Sequence, residues 1–340
     1  MIRDFLRIIL LGLVVVGTGC FLSFDEFDDA GVDDEDTLTV QESDVSSEDV
    51  RNSETRDVSD EPDVSDEHDV SDEPDVSNEP DVLEQPFAPT DVPGLSLYFD
   101  AGQSESLTTS PEGLVSVWRD LSGHENHAYQ SSDRLMPVYR ESGQAGRGVL
   151  EFDGSYLTTS DPIQLRATEQ GYTIFAVALS TVADGVEGNE GRTGILIGNY
   201  RRPHASFAVE LHHDRRLRHW WDRREDFDDV ADGNRGDAIF EEPRPAQDAF
   251  AMLTFSLDTT AQTVSAAVDG EFAEPLPDDG FVYEVERPLR IGADYREQNL
   301  PTAWKGSIGA LLVYDRLLSE AEMGQVHQYL SQKWDVPLRN

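Results

Sequence analysis

Four consecutive hexapeptides of the pattern Asp-Val-Ser-Asp-Glu-Pro run from Asp57 to Pro80, and they limit what the chain can fold into more than any other feature. His68 and Asn78 are the departures, and looser copies start at Asp44 and Asp49. Pro62, Pro74 and Pro80 forbid a helix or a continuous strand ladder, because proline lacks the amide hydrogen and restricts its predecessor. Between Asp25 and Glu84 stand 26 of the 68 acidic residues, opposed only by Arg51 and Arg56. Such a segment has too little apolar surface to fold, and its like charges predict an extended, solvated spacer. Asp-rich repeats that fold around calcium need glycines for their turns, and residues 57–82 contain none. The fold therefore belongs to roughly Phe87–Asn340, about 250 residues, a size that one all-β domain can reach. A net charge of −42 disfavours nucleic acid as a partner, since phosphate binding needs a basic surface. A single cysteine rules out a disulfide framework and a thiolate zinc cage.

The beginning of the chain speaks to compartment. Arg3 and Arg7 precede an apolar run from Ile8 to Val16, and Gly17, Thr18, Gly19 and Cys20 follow. A basic start, about nine apolar residues and then small ones describe a secretory signal, and the run is too short to span a bilayer. The sole cysteine behind the small residues resembles a bacterial lipobox, with Gly17 where that motif usually has an aliphatic residue. The resemblance implies that residues 1–19 are a signal peptide and that Cys20 is diacylated, palmitate included, to anchor the protein in the membrane. No Asp follows Cys20 to resemble an inner-membrane retention signal. The expected place is the cell envelope at the outer membrane, with either face open. Residues 20–92 then form the lipid-anchored acidic linker, and residues 93–340 the folded domain.

After Pro93 and Gly94 the texture changes to short apolar runs set between Gly, Asp, Asn and Pro clusters, the pattern of a sandwich or barrel. Leu95–Phe99 alternates, Val149–Phe152 ends at the turn pair Asp153 and Gly154, and Tyr172–Leu179 predicts a central strand. Phe207, Val209 and Leu211 fall on one face, with a turn near Asp214. Ala249–Leu257 and Thr263–Val268 predict a hairpin followed by Asp269 and Gly270. Only the end is helical in pattern. Ser319 and Glu322 have capping-box spacing, and Met323, Val326, Tyr329 and Leu330 recur at helical intervals.

At Val117–Ala128 the residues Trp118, Asp120, Ser122, Gly123, Asn126 and Ala128 resemble a turn of LamG-like, concanavalin A-like domains. Tyr98–Ala101, Pro137 and Leu150–Gly154 fall where that family has similar residues, and Ile291–Trp334 resembles its last strands and helix. The resemblance implies an all-β, two-sheet antiparallel jelly-roll sandwich with a short C-terminal helix. It implies little about activity, because one fold hosts many functions. Trp118 and Trp334 are expected in the core, with Asp120, Ser122 and Asn126 bonding the turn backbone.

Candidate chemistry is sparse. Glu151 and Asp153 begin the Glu-x-Asp-x-x-Glu string that glucan-cleaving enzymes of this fold resemble one another in, but no second Glu follows. Glu284 and Glu286 also stop short, and no nucleophile elbow, zinc-protease helix or phosphate loop occurs. The expectation is no enzyme. One basic stretch, His212–Arg224, interrupts the acidic chain. Alternation puts Leu217, His219 and Trp221 on one face and Arg218 and Trp220 on the other. Trp220 beside Arg218 and Asp222 offers a sugar a flat apolar ring with donors and acceptors. Three other readings compete: Trp221 as core, the arginines as a strand edge that discourages pairing, and the patch as a dock for the chain's own acidic linker. Adjacent on a strand, His212 and His213 point to opposite faces and cannot share a metal. No cofactor is required; calcium, which suits hard oxygen donors, is the metal to expect if there is one. The function expected is a non-catalytic envelope domain for carbohydrate or cell-surface adhesion. A structural surface component and a polysaccharide-active enzyme are the rivals.

Overall fold

The computed structural model describes residues 86–163, 165, 171–181, 194–199, 206–212, 214–222, 235–278, 287–295 and 302–339. Cys20, the hexapeptide repeats, His213, Arg223, Arg224, Glu284 and Glu286 lie outside the described residues, and so does the side chain of Asp222.

The short apolar runs pair into two antiparallel sheets. The first runs β15 (Glu271–Phe272), β14 (Thr263–Val268), β13 (Ala251–Asp258), β8 (Tyr172–Ser180), β18 (Lys305–Tyr314), β6 (Val149–Asp153) and β5 (Val138–Arg140). β1 (Leu95–Asp100) also pairs with β18, and β16 (Leu276–Pro277) with β14. The second runs β12 (Arg235–Phe240), β11 (Leu217–Asp222), β10 (Ser206–Leu211), β9 (Ile195–Gly198) and β17 (Arg290–Ile291). It continues through β7 (Leu157–Thr159), β4 (Ala128–Tyr129), β3 (Val115–Trp118) and β2 (Leu107–Thr109). With helix α1 (Glu320–Trp334) at the C-terminal end, this is a two-sheet jelly-roll sandwich.

The apolar run of β8 is continuous because both of its faces are covered. Ile174, Ala176 and Ala178 face the core between the sheets, while Phe175 and Val177 lie under α1 with Leu312, Val326 and Leu330. An antiparallel sheet usually leaves one face to water and alternates; here the helix removes that face from solvent. Ser319 and Glu322 form the expected capping box, at 3.3 Å from the Glu322 amide to Ser319 Oγ and 2.9 Å from the Ser319 amide to Glu322 Oε2. At the other end Trp334 is fully buried over Gly309, where an added Cβ would lie 2.7 Å from the indole. Close by, the fully buried carboxylate of Asp100 accepts from the Tyr98 hydroxyl and the Gly102 amide, both at 2.9 Å, and from Lys333. The helix is thus tied to β1 at its C-terminal end.

The turn after β3 has the role its residues predicted. Trp118 is fully buried and stacks on Phe99 with ring centroids 5.0 Å apart. Asp120 Oδ1 accepts from the amides of Tyr98 and Ser122, both at 2.9 Å. Its Oδ2 accepts from Ser122 Oγ at 2.7 Å and the Asn126 amide at 3.0 Å. Asn126 Nδ2 reaches the Ser96 carbonyl at 3.1 Å. A single carboxylate organises four donors, which is why the turn needs Asp at that place. The two Asp-Gly pairs differ in use. Asp269 and Gly270, with φ of 54° and 85°, close the tight β14–β15 hairpin, whereas Asp153 and Gly154 carry the chain from the first sheet to the second.

Candidate functional site

Strand alternation sets the two sides of β11. Leu217, His219 and Trp221 are buried in the core, with His219 Nε2 bonded to the Tyr172 hydroxyl. Arg218 and Trp220 lie on the outer face, half-buried. The register expected from the sequence is the observed one.

Pairing then lines up a single lateral row across this outer face. Trp220 lies opposite Asp237 on β12 and Ala208 on β10. Ala208 lies opposite Gly198, Gly198 opposite Arg290, Arg290 opposite Thr158, and Thr158 opposite Tyr129. Directly opposed residues share a face of the sheet. At about 4.8 Å per strand, three steps separate Trp220 from Arg290 by roughly 14 Å, and five separate it from Tyr129 by roughly 24 Å. Between the aromatic and basic positions the row narrows to small, buried residues. An added Cβ on Gly198 would stand 2.8 Å from both the Ala208 Cβ and the Phe207 carbonyl, so glycine is required there.

Carboxylates engage Arg216 and Arg218 of the basic stretch. Arg218 forks onto Asp237, with Nε to Oδ1 at 2.6 Å and Nη2 to Oδ2 at 2.8 Å, and Nη1 meets the buried Glu210 at 2.5 Å. Burial disfavours its charge, but Asp237 and Glu210 more than offset this and hold it above the ordinary arginine value. Arg216 pairs with Asp214 at 2.7 Å and with Glu241 at 2.6 Å, and Arg215 donates to the Pro245 carbonyl at 3.0 Å. These pairs order the β10–β11 turn and the edge of the sheet. Of the three residues proposed for ligand contact, Trp220 presents an aromatic surface and Arg218 is a neutralised, rigidly held donor.

Sequence reasoning missed the second cluster in the row. Arg290 Cζ lies 3.8 Å from the centroid of the Tyr295 ring and 4.1 Å from that of Tyr156. Its Nη1 donates to the Asp294 carbonyl at 2.8 Å, and the Tyr295 hydroxyl donates to the Pro288 carbonyl at 2.9 Å. Burial raises the Tyr295 hydroxyl, with Arg290 and Arg287 pulling the other way. Tyr129, at the far end of the row, is 43% exposed. Flat rings and fixed planar donors on one sheet face are what a sugar ring needs, while the conspicuous acid on the other sheet is occupied: Glu151 holds Arg140 at 2.5–2.6 Å. Among the described residues no three His, Cys, Asp or Glu side chains come together to hold a metal ion.

No protein-family model matches the chain, and no curated protein matches it. Solved structures do. The binding domain of paraclostridial mosquitocidal protein 1 aligns at 12% identity with a TM-score of 0.50, over 72% of this chain and 53% of that one. The botulinum neurotoxin serotype G binding domain aligns at 12% identity and 0.49, over 72% and 54%. Domain 4 of an extracellular arabinanase from Geobacillus stearothermophilus, solved with arabinotriose, aligns at 12% and 0.48, over 69% and 98%. The chain spans about half the length of the first of these. At such identity the likeness is one of fold, a β-sandwich.

Proposed function

We propose that the sandwich is a non-catalytic module that binds glycan on the outer face of its second sheet, presented from the cell envelope by a lipid anchor at Cys20 and the acidic linker. The observation that carries the binding role is the lateral row itself, in which Tyr129, Arg290 and Trp220 share one face. Sheet pairing has gathered these residues from distant parts of the chain, and each offers a sugar a ring face or a planar donor. The toxin domain that shares the fold is itself named a binding domain, which agrees with this role. The absence of a second carboxylate after Glu151 and Asp153 in the sequence supports a module without turnover.

A glycan array probed with the full chain tests the reading. Wild type is expected to retain a defined subset of glycans, and Trp220→Ala to weaken them about tenfold, the loss of one stacking platform. Release of reducing ends from the retained glycans would point to an enzyme, and an array with no retained glycan to a structural component. The anchor is tested separately by growth with labelled palmitate. Label is expected in wild type and not in Cys20→Ser, which should move to the soluble fraction; equal labelling of both removes the lipid anchor from the reading.

A further inference from the structure

We propose that Arg290 reads a negative charge on the bound glycan, so that the outer face of the second sheet selects acidic sugars by the carboxylate or sulfate they carry. This rests on the reading of that face as a glycan site and names its ligand class.

The argument starts from what surrounds the guanidinium. The rings of Tyr156 and Tyr295 pack against it, with Cζ 4.1 and 3.8 Å from their centroids. The clamp is itself held, because the Tyr295 hydroxyl is fixed on the Pro288 carbonyl and Arg290 Nη1 on the Asp294 carbonyl. A guanidinium held in this way is a planar, positioned donor, the kind of group that meets a carboxylate or sulfate. Charge is the second observation. Arg140, Arg216, Arg218, Arg316 and Arg339 each hold at least one carboxylate at 3.1 Å or less. Among the described residues Arg290, like Arg119 and Arg147, holds none, in a chain where acids outnumber basic residues 68 to 26. Position is the third. The β17 register puts Arg290 on the row that holds Trp220 and Tyr129, beside Thr158, whose partner is the exposed Tyr129. A held cation packed on two tyrosine rings, with no carboxylate partner among the described residues, is suited to an anion from outside.

The test uses the full chain and pairs of probes that differ only in charge: sialyllactose and lactose, trigalacturonate and its methyl ester, a sulfated disaccharide and its desulfated form. Wild type is expected to bind at least one charged member about tenfold or more tighter than its neutral twin, and the pair that responds tells carboxylate from sulfate. Arg290→Gln should bring that ratio to about one, weakening the charged twin far more than the neutral one. The wild-type comparison does not depend on any variant folding. If Arg290→Gln fails to fold, Arg290→Lys, which keeps the charge and loses the planar fork, must still cut the ratio several-fold. Equal binding of both twins overturns the assignment while the glycan reading stands. A preference that survives Arg290→Gln also overturns it, by placing the charge reader elsewhere. Binding of neither member of any pair, with an array that retains nothing, overturns the glycan reading and this inference together.

Discussion

Replacing Trp221 with alanine is expected to lower stability by about 3–5 kcal/mol, the usual loss for a large buried ring. In a domain of this size that is a drop in melting temperature on the order of 10 °C. The magnitude follows from the packing. Trp221 is 3% exposed, sits 5.3 Å from the His219 ring centroid, and covers Gly236 so closely that an added Cβ there would lie 1.7 Å from the indole. No neighbour can collapse into that space without moving β12. Trp220→Ala, one residue away, removes a half-buried ring on the outer face and should cost about 1 kcal/mol or less. Thermal unfolding of the two variants side by side decides the matter. Equal losses would mean that both rings act as core, leaving no aromatic platform at β11. A larger loss for Trp220→Ala would mean that β11 is shifted by one residue.

The second large effect is on pH dependence and centres on His327. This residue of α1 is 4% exposed, with Nε2 2.8 Å from Thr254 Oγ1 and the ring at 82° to Phe175. Burial pushes its pKa down to about 4 from the ordinary 6.5. The unfolded chain therefore takes up a proton near pH 6.5 that the folded one refuses until about pH 4. The contribution to stability is complete above the unfolded value, falls as the pH drops from 6.5, and is gone below 4; its size is about 3 kcal/mol. Glu322, held down to about 2 chiefly by hydrogen bonds from Arg316, loses its share only below the ordinary carboxylate range, so the two slopes separate. Urea unfolding at a series of pH values should show that His327→Gln removes the slope between 6.5 and 4. A variant with the wild-type slope would show that other groups carry it.

How legible the molecule was depends on how local each cause is. The turn at Trp118 could be read because Asp120 bonds residues close by in sequence, Ser122 and Asn126. The sides of Trp220 and Trp221 could be read because a strand has period two. The helix start was visible in Ser319 and Glu322 alone. The pairing of Arg218 with Glu210 and Asp237 was not, since it depends on the register of three strands that no local pattern encodes. The Arg290 clamp was hidden for the same reason: Tyr156 and Arg290 are far apart in the chain and meet only because β7 pairs with β17. Leu289–Gly292 shows nothing beyond a short strand. Sequence periodicity reports which side a residue takes, and sheet pairing alone decides its company.

β18 has a consequence for the order of events in the cell. It is made after every other strand of the first sheet, yet β8 pairs along one of its edges and β6 and β1 share the other. β8 with β13–β16 and β5 with β6 can pair among themselves, but only β18 joins the two groups and gives β1 a partner. Contacts of such long sequence separation form slowly, and here they are impossible until Lys305–Tyr314 has left the ribosome. Synthesis runs from the N-terminus, but completion of the sheet waits for the strand made after all the others in it. A nascent chain cut short anywhere before Lys305 is left with open strand edges and nothing to close them.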